Sequence, residues 1–88
     1  MISVEAIDNN SFKVSVTKDS PTEHIVLLND YFHQDVTNNK LTKTELITKS
    51  FEFLLKRESN QSILKKFNLE VISQYFPEYI DEIKKLIL

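Results

Sequence analysis

The segment 41–58, LTKTELITKSFEFLLKRE, constrains the fold of this chain most strongly, because it has the pattern of a well-capped amphipathic helix. Thr42 and Glu45 have the spacing of a capping box, in which each side chain accepts a hydrogen bond from the backbone N–H of the other residue. Apolar residues then recur at helical spacing, so one side of the helix is expected to face a core. Asn60 follows, and asparagine can adopt the left-handed conformation that ends a helix.

The chain has 88 residues, which is short for a domain that must fold alone. A domain of this length buries only about 60–65% of its unfolded surface and is therefore marginally stable. The sequence contains no Cys and no Gly, so neither a disulfide nor a zinc–thiolate site can compensate for a small core. We therefore expect one domain, residues 1–88, that enlarges its core by forming a homodimer. Sharp turns are expected at Asn, because Gly is missing.

The net charge of −2 gives little electrostatic attraction for nucleic acid, so any contact with DNA requires a local arrangement of charge. No apolar run approaches the ~20 residues of a membrane span, and no basic segment followed by an apolar one marks a signal peptide. We expect a cytoplasmic protein that makes no membrane contact, and the lack of Cys fits a reducing compartment.

Two strands are expected before the first helix. Residues 2–7 are rich in β-branched side chains, residues 8–11 form a turn, and residues 12–17 alternate strictly between apolar and polar side chains. The apolar face of the second strand consists of Phe12, Val14 and Val16. The two strands can pair with each other as a hairpin. Alternatively, residues 1–11 form an arm, and residues 12–17 pair with another copy of the chain.

A second capping box is expected at residues 20–23, SPTE, where Pro occupies the first helical position. This pattern predicts a helix that continues to about Asp35. His24 and His33 would then be partly exposed helix residues on different faces. They lack the spacing of a metal-ligand pair, and no metal site is expected.

A strand, a capped helix, a short Asn turn and a second capped helix follow one another over residues 12–58. Through the segments FKVSVT and LTKTELITKSFEFLL, the chain resembles the ribbon-helix-helix family of dimeric DNA-binding proteins, of the Arc and Met repressor type. The resemblance covers about half of the chain. It implies a mainly α fold with a short β ribbon, to which each chain of a homodimer contributes one strand. Residues 59–88 would be a C-terminal helical extension.

The resemblance also implies a surface that binds double-stranded DNA. Base edges in the major groove would be read by the outer side of the ribbon, at Lys13, Ser15 and Thr17. A backbone phosphate would be bound at the start of the second helix, by Thr42, Lys43 and Thr44. The implied function is a homodimeric transcriptional repressor, of the kind found among small plasmid and viral regulators.

The C-terminal residues exceed what that family fold requires. Short helices are expected around residues 63–67 and 69–76, and a last helix is expected after Pro77. Their apolar stripe predicts that this part of the chain folds back on the second helix. Alternatively, residues 61–88 bind a protein partner, which would make the chain an interaction module such as an antitoxin.

Enzymatic activity is not expected. The sequence contains no arrangement of Ser, His and Asp typical of nucleophilic catalysis, and no glycine-rich loop that would hold a nucleotide phosphate. The acidic residues near the C-terminus have the pattern of a solvated helix face. No cofactor is therefore expected.

Overall fold

The structure is a computed structural model that describes residues 1–18 and 20–87. The strands in this part of the chain are β1 (Ile2–Ala6), β2 (Ser11–Val16), β3 (Thr22–Leu27) and β4 (Lys66–Asn68). The α-helices are α1 (Asp30–Thr37), α2 (Lys43–Leu55), α3 (Ile72–Tyr75) and α4 (Tyr79–Ile87). Single turns of 3-10 helix lie at Asn60–Ser62 and Leu69–Val71.

The four strands form one mixed sheet in the order β1-β2-β3-β4. β1, β2 and β3 are antiparallel to one another, and β4 pairs in parallel with β3. The fold is therefore α/β, and the prediction of a mainly α fold with a short β ribbon is wrong. The physical reason is that two segments expected to be helical, residues 22–27 and 66–68, pair with each other as strands.

β2 lies inside the sheet and uses both of its edges within its own chain. Val14 is paired with Val4 of β1 on one side and with His24 of β3 on the other. The turn between β1 and β2 is closed by a hydrogen bond from the N–H of Ile7 to the carbonyl oxygen of Ser11, at 2.8 Å. The hairpin alternative is therefore confirmed. The ribbon in which β2 pairs with a second chain is wrong, because β2 has no free edge.

The segment SPTE at residues 20–23 does not begin a helix, because β3 begins within it and its side chains alternate in burial. The buried residues are Thr22, His24 and Val26. Neighbouring strands on both sides supply hydrogen bonds and packing that outweigh the helical spacing. The first helix begins only at Asp30, where the side chain of Asn29 accepts a hydrogen bond from the N–H of Phe32 at 2.8 Å.

Helix α2 confirms the prediction of a helix with a capping box. The N–H of Glu45 donates to Thr42 Oγ1 at 3.1 Å, and the N–H of Thr42 donates to Glu45 Oε1 at 2.8 Å. The helix ends before Asn60, which does not take the predicted left-handed conformation. Among the described residues, positive φ angles occur at Asn38 and Asn39, with values of 51° and 61°, in the turn between α1 and α2.

The helices cover one face of the sheet, which we call the inner face. Its apolar side chains and those of the helices form one core: Phe12, Val14, Val16, Val26, Leu28, Phe32, Val36, Leu46, Ile47, Phe51, Phe53, Leu54, Ile63, Phe67, Leu69, Ile72, Tyr79 and Ile83. The predicted apolar face of β2 is thereby confirmed. The opposite, outer face carries half-buried and exposed side chains. The helices described here all fall short, in length or in apolar character, of what a membrane span requires.

The C-terminal part of the chain folds back on α2, as predicted. The hydroxyl groups of Tyr79 on α4 and Ser50 on α2 are hydrogen-bonded inside the core. Burial raises the pKa of the Tyr79 hydroxyl far above its ordinary value. The helix expected after Pro77 is confirmed as α4, whereas the helix expected at residues 63–67 is wrong, because β4 begins at Lys66 and residues 63–65 are not helical.

The capping box of α2 yields a stability prediction. Thr42→Ala removes the oxygen that accepts the N–H of Glu45, and we expect it to lower the free energy of unfolding by about 1 kcal/mol. Thr42→Ser retains the acceptor and is the matched control. Urea denaturation measures both variants, and an alanine variant as stable as the serine variant would contradict a role for this cap.

Candidate functional site

The residues predicted to read DNA bases lie on the outer face of the sheet or beyond its end. Lys13 and Ser15 project from β2 on the side opposite the core, and Lys13 Nζ lies 3.7 Å from the carboxylate of Glu23. Glu5 is the cross-strand neighbour of Lys13 on β1. Thr17 lies beyond the end of β2. Two carboxylates therefore flank the cation that was expected to contact bases.

Lys43, predicted to bind a phosphate, is engaged within its own chain. Its Nζ lies 2.6 Å from the carboxylate of Asp30. It also donates to the carbonyl oxygen of Asn9 at 2.8 Å and to Asn10 Oδ1 at 2.9 Å. An ammonium group has three hydrogens, so these contacts use all of them. The hydrogen bond from Lys43 lowers the pKa of Asp30, and this lysine connects the β1–β2 turn to the start of α1.

The two predicted halves of the DNA surface lie on opposite sides of the sheet. Thr42 and Thr44 are at the start of α2, which packs against the inner face, whereas Lys13 and Ser15 are on the outer face. The Thr42 hydroxyl already accepts a hydrogen bond within α2, and Thr44 is exposed. A single chain therefore does not form the combined surface that the resemblance implies.

Two depressions in the surface are large enough to receive a ligand. The larger, of about 630 Å³, lies between α1 and α4 and is open to solvent, and its lining mixes apolar side chains with polar ones that include Gln34, Asp35, Lys40 and Lys84. The smaller, of about 250 Å³, lies where β4, α3 and the end of α2 meet. Because a smaller share of its wall is polar, covering the smaller depression removes water from fewer polar groups. We call it the C-terminal groove.

The C-terminal groove combines buried core side chains with exposed apolar ones. The buried part of its lining includes Leu54, Ile63, Phe67 and Ile72. At its mouth, Leu64 is 47% exposed and Tyr75 is 67% exposed. Two large apolar side chains thus border a groove whose walls are continuous with the core.

A chain of buried hydrogen bonds fixes the loop that carries Leu64. His24 Nδ1 lies 2.8 Å from the carbonyl oxygen of Leu64, which can only accept, so Nδ1 carries the proton. In the neutral ring, Nε2 then accepts from the Thr22 hydroxyl at 2.9 Å. Thr22 Oγ1 in turn accepts from Asn60 Nδ2 at 3.0 Å, and the same amide donates to the carbonyl oxygen of Ser20 at 2.8 Å. Each polar group of this network has a partner.

His24 is therefore a structural residue of β3. The prediction of a partly exposed helix residue is wrong for His24, which is buried against the ring of Phe51, with 5.4 Å between ring centroids. His33 is half-buried, and its Nε2 lies 2.6 Å from the carbonyl oxygen of Leu41. In the part of the chain that the structure describes, no group of three or more such side chains is placed to hold a metal ion.

Stacked side chains support the opposite wall of the groove. The rings of Phe76 and Phe53 meet edge to face, with 5.7 Å between their centroids. The guanidinium carbon of Arg57 lies 3.6 Å from the centroid of Phe53. The same guanidinium group pairs with Glu82 at 2.6 Å and with Glu78 at 3.3 Å. These contacts join the end of α2 to α4 and hold Phe76 at the groove.

Glu58 is the charged residue of the groove lining. It is half-buried and forms no ion pair within the described ranges 1–18 and 20–87. A half-buried carboxylate loses part of its hydration, so a cation beside it would be favourable. The groove therefore offers apolar contact together with one site for a positive charge.

Two pairs of adjacent apolar residues in the sequence mark the groove. Ile63 and Leu64 are adjacent apolar residues, as are Tyr75 and Phe76. Adjacent side chains point in different directions in both strands and helices, so at the edge of a core one member of such a pair can be exposed while the other is buried. The prediction of a single apolar stripe did not distinguish the exposed member of each pair from the more buried one.

No protein-family model matches the sequence, and no curated protein and no solved structure is significantly similar to it.

The buried network yields a prediction about the groove. Thr22→Val keeps the shape of the side chain but leaves His24 Nε2 without a donor and one N–H of Asn60 without its acceptor. We expect the free energy of unfolding to fall by about 1–3 kcal/mol, because buried polar groups lose their partners. The amide resonance of Leu64 should also shift in NMR spectra.

The matched control is Thr22→Ser, which retains the hydroxyl group. Equal stability of the valine and serine variants in urea denaturation would show that the network does not hold the loop of residues 60–64.

Proposed function

We propose that this protein is an interaction module that binds an apolar segment of a partner protein in the C-terminal groove. The observation that supports this proposal most directly is the exposure of Leu64 and Tyr75 beside an apolar wall that is continuous with the core. Covering exposed apolar surface of this kind is favourable in water, at about 25 cal/mol per Å². Contiguous apolar patches on small proteins are typical of protein-binding sites.

The size of the groove suits one or two side chains of a partner protein better than a whole small-molecule ligand. Its volume of about 250 Å³ is below the range of about 300–1,000 Å³ that drug-sized ligands occupy. One or two large apolar side chains of a partner would fill it. The larger depression between α1 and α4 has a similar apolar area but a larger polar share, so covering it would remove water from more polar groups.

The carboxylate of Glu58 places a second requirement on the partner segment. Glu58 is half-buried beside the apolar wall, so a Lys or Arg next to the inserted apolar residues would pair with it. The expected ligand is therefore a short segment with one or two large apolar residues and a neighbouring cation. A partner with an acidic residue at that position would be repelled.

Binding to double-stranded DNA, which the ribbon-helix-helix resemblance implies, is the alternative. Lys13 lies beside two carboxylates, and the hydrogens of Lys43 are used within the chain, so both cations would have to leave these contacts to bind DNA. These contacts favour the protein partner. Fluorescence anisotropy with a labelled duplex of random sequence tests the alternative, because affinity that depends on phosphate contacts falls steeply as salt rises. We expect no such salt-dependent binding.

The groove is tested by selecting binders from a random peptide library displayed on phage, with the full chain as bait. The selected peptides should share one or two large apolar residues next to Lys or Arg. Leu64→Ser and Tyr75→Ser should each lower the affinity for synthetic copies of the selected peptides by about tenfold, which corresponds to about 1.4 kcal/mol of binding free energy. Isothermal titration calorimetry measures the affinities.

Two exposed residues elsewhere provide matched controls. Leu86→Ser and Tyr31→Ser remove the same side-chain types outside the groove lining, where Leu86 is 63% exposed and Tyr31 is 82% exposed. They should leave affinity unchanged. The proposal fails if the library yields no enriched peptide, or if the groove variants bind the peptides as tightly as the controls do.

A further inference from the structure

The outer edge of β1 is an unpaired strand edge. β1 is the first strand in the order of the sheet, and within the described residues it pairs only with β2. The N–H of Thr17 donates to the carbonyl oxygen of Met1, and the N–H of Ile7 donates to that of Ser11. In an antiparallel pair, residues whose backbone groups face the neighbour alternate with residues whose groups face away. The backbone groups that face away from β2 are therefore those of Ile2, Val4 and Ala6.

β1 has one charged residue, Glu5, and few other features that usually protect such an edge. Natural edge strands carry Pro, a central Lys or a bulge, or are covered by another element. The sequence of β1, ISVEA, contains neither Pro nor Lys, and its register with β2 runs from Ile2 to Ala6 without a bulge. Ser3, Glu5 and Ala6 are exposed. Ile2 and Val4 are half-buried where α2 packs on the inner face of β1, so another strand would reach this edge from the open, outer side of the sheet.

We infer that this edge is a self-association surface, on which β1 of a second copy of the chain pairs antiparallel about a twofold axis beside Val4. In this register, Val4 lies opposite Val4 of the second copy, and Ile2 lies opposite Ala6 in both directions. Each of these pairs exchanges two hydrogen bonds between outward-facing N–H and C=O groups. The occupant is a second copy because the strand is complementary to itself.

The side chains select this register over its neighbours. Met1, which is 88% exposed, lies opposite Ile7 of the second copy, which is 56% exposed, so each covers the other. Ser3 lies opposite Glu5. A shift in one direction would place Glu5 opposite Glu5, and like charges in this position repel. A shift in the other direction would place the exposed side chain of Met1 opposite the carboxylate of Glu5 and would separate Met1 from Ile7.

The resulting dimer is closed. An antiparallel pair about an axis perpendicular to the sheet keeps the helices of both copies on the same side, and it doubles the sheet without leaving a β1 edge. The C-terminal groove lies beside β4, at the opposite edge of the sheet. Dimer formation and partner binding therefore use separate surfaces, and the failure of one proposal leaves the other intact.

The first test compares the mass of the full chain and its variants by sedimentation equilibrium. The wild-type chain should be a dimer. Ala6→Pro removes an N–H that faces away from β2, at an exposed position on an edge strand, where proline is tolerated. This variant should be a folded monomer, with the circular dichroism spectrum of the wild type. Ala6→Ser retains the N–H and should remain a dimer.

The second test fixes the register and does not depend on the proline variant. The chain contains no Cys, so cysteines can be introduced singly as Ser3→Cys and Glu5→Cys. Residues that oppose each other between hydrogen-bonded pairs have Cα atoms about 4.5 Å apart, within disulfide range. Mild oxidation should therefore give a covalent dimer when the two variants are mixed, and not when either variant is oxidised alone.

Three outcomes would overturn the inference. The first is a wild-type chain that is a monomer at every concentration measured. The second is a dimer that Ala6→Pro leaves intact and in which the mixed cysteine variants do not cross-link. The third is cross-linking of Ser3→Cys alone or Glu5→Cys alone in preference to the mixture, which would place the axis elsewhere.

Discussion

The pairing of β2 with a strand on each side, within one chain, is the constraint on which the rest of the structure depends. It directs Phe12, Val14 and Val16 to one side, so the helices must cover that side, and it leaves the outer face of the sheet open. It also determines where unpaired edges occur, because β1 and the short β4 become the outer strands. The candidate groove lies beside β4, and the proposed self-association surface is the edge of β1. Both features therefore follow from the central position of β2.

Two segments with the same local pattern show what could be predicted from the sequence. Thr42 and Glu45 form the predicted capping box of α2, whereas Ser20 and Glu23 have the same spacing and lie at the start of β3. The helical conformation after Thr42 is determined locally, by hydrogen bonds within one helical turn and by a long apolar stripe. The strand conformation after Ser20 is determined by pairing with residues 66–68, about forty positions away. Short-range periodicity carries no information about such a partner, so the sheet could not be predicted from it.

Only part of the candidate site could be predicted from the sequence. That the C-terminal residues pack against α2 followed from their apolar character, but the exposure of Leu64 and Tyr75 depends on how the chain bends before β4 and between β4 and α3. The predicted DNA-binding residues illustrate the same limit for charge. Lys13 and Lys43 are cations in the sequence, yet their availability depends on where the topology places Glu5, Glu23 and Asp30. A buried polar network that includes His24 likewise forms only when distant segments meet.

Amide hydrogen exchange along β2, followed by NMR at two protein concentrations, tests the central claim most directly. If β2 is paired on both sides within its own chain, the amides of residues 12–16 should exchange slowly, and their protection should be unchanged by about a hundredfold dilution, because intramolecular pairing does not depend on concentration. Loss of this protection on dilution, with the rest of the core still protected, would show that β2 pairs with another copy of the chain and would contradict the fold described here.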